Sequence, residues 1–150
     1  MLQLQKRRGL LTGALLTFLL ILSSSSSATA PAGRFTVAGA VVTDTQSGLK
    51  WQQTHDTALR DFGVAAAYCA SLNLGGTGWR VPGVKELLTI VDDTAQKPAI
   101  DATAFPNTSV GNFWTSSKNA MTGDGYYVDF SWGDSSTSAT SAKYYVRCVR

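Results

Sequence analysis

Few side chains in this sequence have the type and spacing to carry chemistry. His55 is the only histidine, and an imidazole is the group best suited to general-base work near neutral pH. Its neighbours Thr54 and Asp56 place it in a polar stretch ahead of a helix, so a solvated loop residue is expected rather than a catalyst. Asp92, Asp93, Asp101, Asp124, Asp129 and Asp134 offer oxygen ligands for calcium, above all around Asp124 and Asp134. They lack the spacing of an EF-hand loop, and loop aspartates ordinarily cap turns or face water, so no metal and no cofactor is assigned. Cys69 and Cys148 are the only cysteines, 79 positions apart. That rules out a C-x-x-C redox pair, and two thiols are too few for a zinc site. With no free nucleophile and no paired base, no catalytic residue is assigned and the chain is not expected to be an enzyme.

Recognition is the chemistry that remains. Trp51, Trp79 and Trp114 sit among apolar residues in extended pieces, where core packing accounts for them. Trp132 differs, because Ser131, Gly133 and Asp134 flank it in a polar loop where an indole could stack on a sugar face or a partner surface. Asp134 and Asn119 would orient a neutral sugar by hydrogen bonds. An anionic one would need Lys118, Lys143 or Arg147, with Arg150 close to the last of these. The expected ligand-binding set is therefore Trp132, Asp134, Asn119, Lys118, Lys143 and Arg147.

The elements that must position these residues begin after a leader. Lys6, Arg7 and Arg8 precede an apolar run from Leu10 to Leu22, and small residues follow. Thirteen apolar positions fall short of the roughly 17 to 25 of a spanning helix, so residues 1–30 read as a signal peptide rather than a retained anchor. Cleavage after Ala28, Ala30 or Ala32 fits, and the destination is periplasmic or extracellular. The formal net charge of +3 comes from that leader: three of the 13 basic residues lie in it, and the ten that remain balance 10 acidic ones. A neutral mature chain gives no global ground for a nucleic-acid partner. In an oxidising compartment, a Cys69–Cys148 disulfide is the default reading.

Residues 31–40 read as a linker, and 41–150 as one domain. Phe35 to Val37, Val41 to Thr43 and Leu49 to Gln52 are β-prone, with Asp44 to Gly48 as the hairpin turn. Apolar positions Leu59, Phe62, Ala66, Cys69 and Leu72 recur at helical spacing, which predicts a helix over Thr57 to Leu72. Pro82 stops an extended Trp79–Val81 segment, and a second helix follows with Gly83 as a weak N-cap and Val84, Leu87, Leu88 and Val91 as its stripe. A long loop from Asp92 to Gly111 should be anchored by Ile100 and Phe105. Three strands are expected at Phe113–Ser116, Tyr126–Phe130 and Lys143–Val149, with Ser131 to Ala142 as a polar loop. In the last strand Tyr144, Val146 and Cys148 share one face; if Cys148 reaches Cys69, that face packs on the helix and Arg147 points elsewhere.

The series VTDTQSGLKWQ, AAAYCASLNLGGTGWRVPGVKEL, AIDATAFPNT, FWTSS, YYVDFSWG and YYVRCVR resembles, in that order, the Lcl C-terminal domain family, named for a bacterial collagen-like adhesin. The resemblance runs from Val41 to Arg150. It implies an α+β, C-type-lectin-like fold with two helices packed on a mostly antiparallel sheet and one disulfide. It also implies an exported recognition or adhesion module for glycans, sulfated glycosaminoglycans among them, with a surface protein as another partner and oligomers allowed. A structural subunit of the cell envelope without glycan affinity is the alternative. Gly83 departs from the Thr or Ser usual in the family, which touches capping and not chemistry. The calcium signature of lectins and the collagen repeat are both missing from this sequence.

Overall fold

The computed structural model describes residues 30–150, so the expected signal peptide, apart from Ala30, lies outside the described residues. Three short strands open the fold: β1 (Phe35–Ala38), β2 (Val41–Asp44) and β3 (Lys50–Gln52) form an antiparallel sheet in that order. The β2–β3 turn forms where expected. Gly48 takes φ +74° and donates its N–H to the Asp44 carbonyl at 2.8 Å, while the Asp44 carboxylate accepts the Gln46 N–H at 2.9 Å. Residues 31–40 are more than a linker, since β1 is the edge strand of this sheet.

The first helix, α1 (Phe62–Ser71), begins five residues later than the apolar periodicity predicts. Two interactions hold the chain out of a helix before Phe62. Arg60 exchanges both backbone hydrogen bonds with Tyr144, and the Asp61 carboxylate caps the helix by accepting the Val64 N–H at 2.9 Å. Leu59, placed by that periodicity on the buried stripe, is half exposed as a result. The second helix, α2 (Val84–Leu88), starts after Gly83 as expected. Its cap is completed from two directions: Glu86 accepts the Gly83 N–H at 2.8 Å, and Ser117 accepts the Val84 N–H at 3.1 Å. The same Glu86 holds Arg80 through two 2.7 Å bonds.

The second sheet contains β4 (Asn112–Lys118), β5 (Gly125–Asp129) and β6 (Asp134–Ser138), antiparallel in that order. The fold is thus α+β, but with two three-stranded sheets where one was expected. Two elements differ from expectation. The polar Ser131–Ala142 stretch contains β6, because DSSTS pairs along the whole of β5 despite its low strand propensity. Conversely, Lys143–Val149 is no regular strand. Its residues bridge in turn to Arg60, Phe113, Trp51 and Arg80, and the changing partners break any continuous ladder.

That C-terminal stretch divides two hydrophobic cores. Tyr144, Val146 and Cys148 pack with Ala65, Cys69, Trp79 and Trp114, while Tyr145 and Val149 pack with Val42, Trp51, Leu87, Phe105 and Phe113. Period-two alternation, as expected, puts Cys148 against α1, and the Cys69–Cys148 disulfide closes there with both residues fully buried and their Cα atoms 5.5 Å apart. Ile100 and Phe105 point inward as anticipated.

Candidate functional site

The residues expected to bind a ligand do not meet in one place. Trp132 and Asp134 stand at the Asp129 end of β5, whereas Lys118 and Asn119 stand at its Gly125 end, as the antiparallel registers require. Five extended residues keep the two ends about 14 Å apart. At the Gly125 end, Lys118 and Lys143 converge on the first residues of α1. Lys118 Nζ lies 5.0 Å from the Phe62 ring centre, and Lys143 Nζ lies 3.6 Å from an Asp61 oxygen. The Asn119 side-chain oxygen is committed to its own turn, accepting the Met121 N–H at 2.9 Å.

Arg147, expected as part of a surface cationic patch, is completely buried. Alternation does turn it away from α1, but the opposite face of the stretch is also covered by core. Its guanidinium donates to the Gln52 carbonyl at 2.8 Å, the Gln53 carbonyl and the Thr108 hydroxyl at 2.7 Å, and it sits 4.8 Å from the Phe105 ring centre. Burial pulls its pKa down to about 9, which leaves it charged at neutral pH. Arg150 is likewise structural, donating to the carbonyls of Gly75 at 2.9 Å and Thr77 at 3.3 Å.

His55 is also inside. It is 4% exposed, lies edge-on to Phe113 and Tyr145, and its Nε2 is 3.0 Å from the Ser109 hydroxyl. The expectation of a solvated residue fails because the chain between β3 and α1 folds across the core. Burial, and secondarily the Arg147 charge, lower its pKa to about 4. A buried histidine with a depressed folded-state pKa contributes stability at pH values above its unfolded pKa of about 6.5, and that contribution is lost as the pH falls through 4. The expected loss between those limits is about 3 kcal/mol. Urea denaturation at a series of pH values measures it, and His55→Gln should flatten the dependence in that window; an equally steep profile in the variant would assign the effect to other groups.

Trp132 alone among the four tryptophans is open to solvent: it is 55% exposed, against 0% for Trp51 and Trp114 and 2% for Trp79. Lys97, not singled out in the sequence, places its ammonium 4.5 Å from the Trp132 ring centre. Nothing local signals this pairing, since it depends on the Asp92–Gly111 loop docking on the end of β5. Docking is explicit in two backbone bonds, Lys97 N–H to Ser131 O at 3.1 Å and Ala99 N–H to Phe130 O at 2.7 Å. Gly133, at φ +89°, allows the close approach: a Cβ there would lie 2.7 Å from Val91.

Three of the six aspartates weighed as calcium ligands hold turns with their carboxylates. Asp92 accepts the Thr94 N–H, Asp101 those of Thr103 and Ala104, and Asp129 that of Ser131. Among the described residues, no group of three or more His, Cys, Asp or Glu side chains is arranged to hold a metal. Two clefts of about 210 and 280 Å³ flank Phe35, lined in part by Arg34, Asp92 and Asp101, and neither includes any residue of the expected set.

Residues 40–150 match the family model described as the Lcl C-terminal domain. A search of curated proteins found no match.

Proposed function

Because this chain belongs to the Lcl C-terminal domain family, we propose that it is an exported, non-catalytic recognition module that binds glycans through the surface around Trp132. The observation carrying this reading is the exposed indole. Three tryptophans are spent on the core, whereas the fourth leaves a large apolar face in water beside a cation. Sulfated glycosaminoglycans are the class that the family resemblance implies. For them Lys118 and Lys143, at the other end of β5, supply the charge, and affinity of that kind falls as salt rises. Export is part of the proposal, supported by a buried disulfide, which suits an oxidising compartment. No described helix is long and apolar enough to cross a membrane. A C-type-lectin-like kinship is also part of it, with the bridge from α1 to the last residues as the feature in its favour.

Trp132→Ala tests the site. An exposed ring contributes little to folding, so the thermal midpoint should stay nearly constant while binding on a glycan array disappears. A variant that melts early, yet binds normally once refolded, would make Trp132 a structural residue and remove the site. The competing role is a structural subunit of the cell envelope. It draws support from β1, an uncharged edge strand with Val37 half exposed, which offers unpaired backbone to another chain. A sedimentable envelope complex without glycan affinity would favour that role.

A further inference from the structure

The cation on Trp132 has a consequence for what that ring can accept. Lys97 occupies a left-handed backbone conformation, φ +52°, which a side chain-bearing residue seldom adopts. The two backbone bonds to Ser131 and Phe130 hold it there, so the root of the side chain is fixed relative to the indole while its ammonium stays outside. Among the described residues Lys97 makes no ion pair, whereas Lys143 is engaged with Asp61. Its ammonium is held at Trp132 by the ring alone, a weak attraction at an exposed site that a carboxylate can outcompete.

From this we infer that Lys97 sets the specificity of the Trp132 surface, selecting ring-shaped ligands that carry a single carboxylate, such as a uronate-type sugar, over their neutral counterparts. The inference rests on the recognition role proposed for Trp132 and names the ligand class within it. The ring face of the ligand stacks on the indole, and its carboxylate accepts from the Lys97 ammonium. A neutral sugar offers the ammonium no anion and must compete with it for the ring. A sulfated chain takes its charge contacts from Lys118 and Lys143 at the other end of β5 rather than from Lys97. Lys97 is one point charge, and Asp93, Asp129 and Asp134 on the neighbouring loop and strand ends oppose any anion, which keeps the preference to that of a single exposed pair.

Tryptophan fluorescence reads this surface selectively, because the other three indoles are buried and only Trp132 meets a dissolved quencher. In the ligand-free protein, iodide should quench more strongly than caesium, and Lys97→Gln should narrow that difference. Glucuronic acid and glucose form a matched pair of probes. Glucuronic acid should protect Trp132 at a roughly twofold to fivefold lower concentration than glucose, the range of one exposed charge pair. That preference should vanish in Lys97→Gln, return in Lys97→Arg, and weaken with added salt. Equal affinities in the native protein, no binding of either sugar, or a preference unchanged in Lys97→Gln would each overturn the role of Lys97. Glycan-array binding that survives Trp132→Ala would instead remove the underlying reading of the surface.

Discussion

Replacing both cysteines, Cys69→Ala with Cys148→Ala, should lower the free energy of unfolding by about 4 to 5 kcal/mol in urea denaturation. The chain-entropy argument sets the size: the bridge closes a loop spanning 79 positions and restricts the unfolded chain, while the native contacts around it change little. A loss of that size approaches the whole stability of many small domains. The bridge also ties α1 to the stretch that separates the two cores, so both cores should loosen together in a single transition. In the native protein the two sulfurs are sealed from solvent, and added reductant should therefore act only through opening of the fold. A double variant within 1 kcal/mol of the parent would show that the unfolded chain is already compact enough to make the link redundant.

Arg147→Met is expected to cost about 3 to 4 kcal/mol. Two opposing effects decide the figure. Removing the guanidinium relieves the desolvation of a fully buried cation that has no carboxylate partner among the described residues, and the methionine chain refills most of its volume. Against this, the Gln52 and Gln53 carbonyls lose their donor, each at about 1 to 3 kcal/mol when left unpaired in the interior, while the Thr108 hydroxyl loses one bond and keeps its 2.9 Å bond to the Phe105 carbonyl. The unmade hydrogen bonds outweigh the relief because two backbone carbonyls depend on one side chain. Arg147→Lys keeps the charge but cannot reproduce the planar fork, and it should recover only part of the loss. Thermal or urea denaturation of the two variants measures both effects. A methionine variant more stable than the parent would mean that the desolvation cost is the larger.

Much of the framework could be read from local pattern. Pro82 and Gly83 set the start of α2, the Asp44–Gly48 cluster set a hairpin turn, and Ile100 and Phe105 were recognisable anchors, because backbone restriction and apolar burial act on the residues that carry them. The two cysteines, in a sequence whose start reads as an export leader, pointed to one bridge. Six short motifs in fixed order pointed to the family, which the match over residues 40–150 establishes.

What local pattern left open was decided by contacts between distant segments. Alternation along Tyr144–Val149 places Arg147 opposite Cys148, but only the second core behind it makes that opposite face an interior. His55 follows the same logic, since a polar sequence neighbourhood says nothing about the Phe113 and Tyr145 rings that close over it. The helix start moved to Phe62 because Arg60 pairs with Tyr144, a partner 84 positions away that periodicity cannot contain. At the candidate site, the type of Trp132 and its polar neighbours foretold its exposure. Its companion did not follow from sequence: pairing with β5 carries Lys118 and Asn119 to the far end of the sheet, and docking of the Asp92–Gly111 loop brings Lys97 to the ring. Residue type and spacing determine what a segment can do locally; which side chains then share a surface is set by strand register and loop docking, where the hydrogen bonds join residues far apart in the chain.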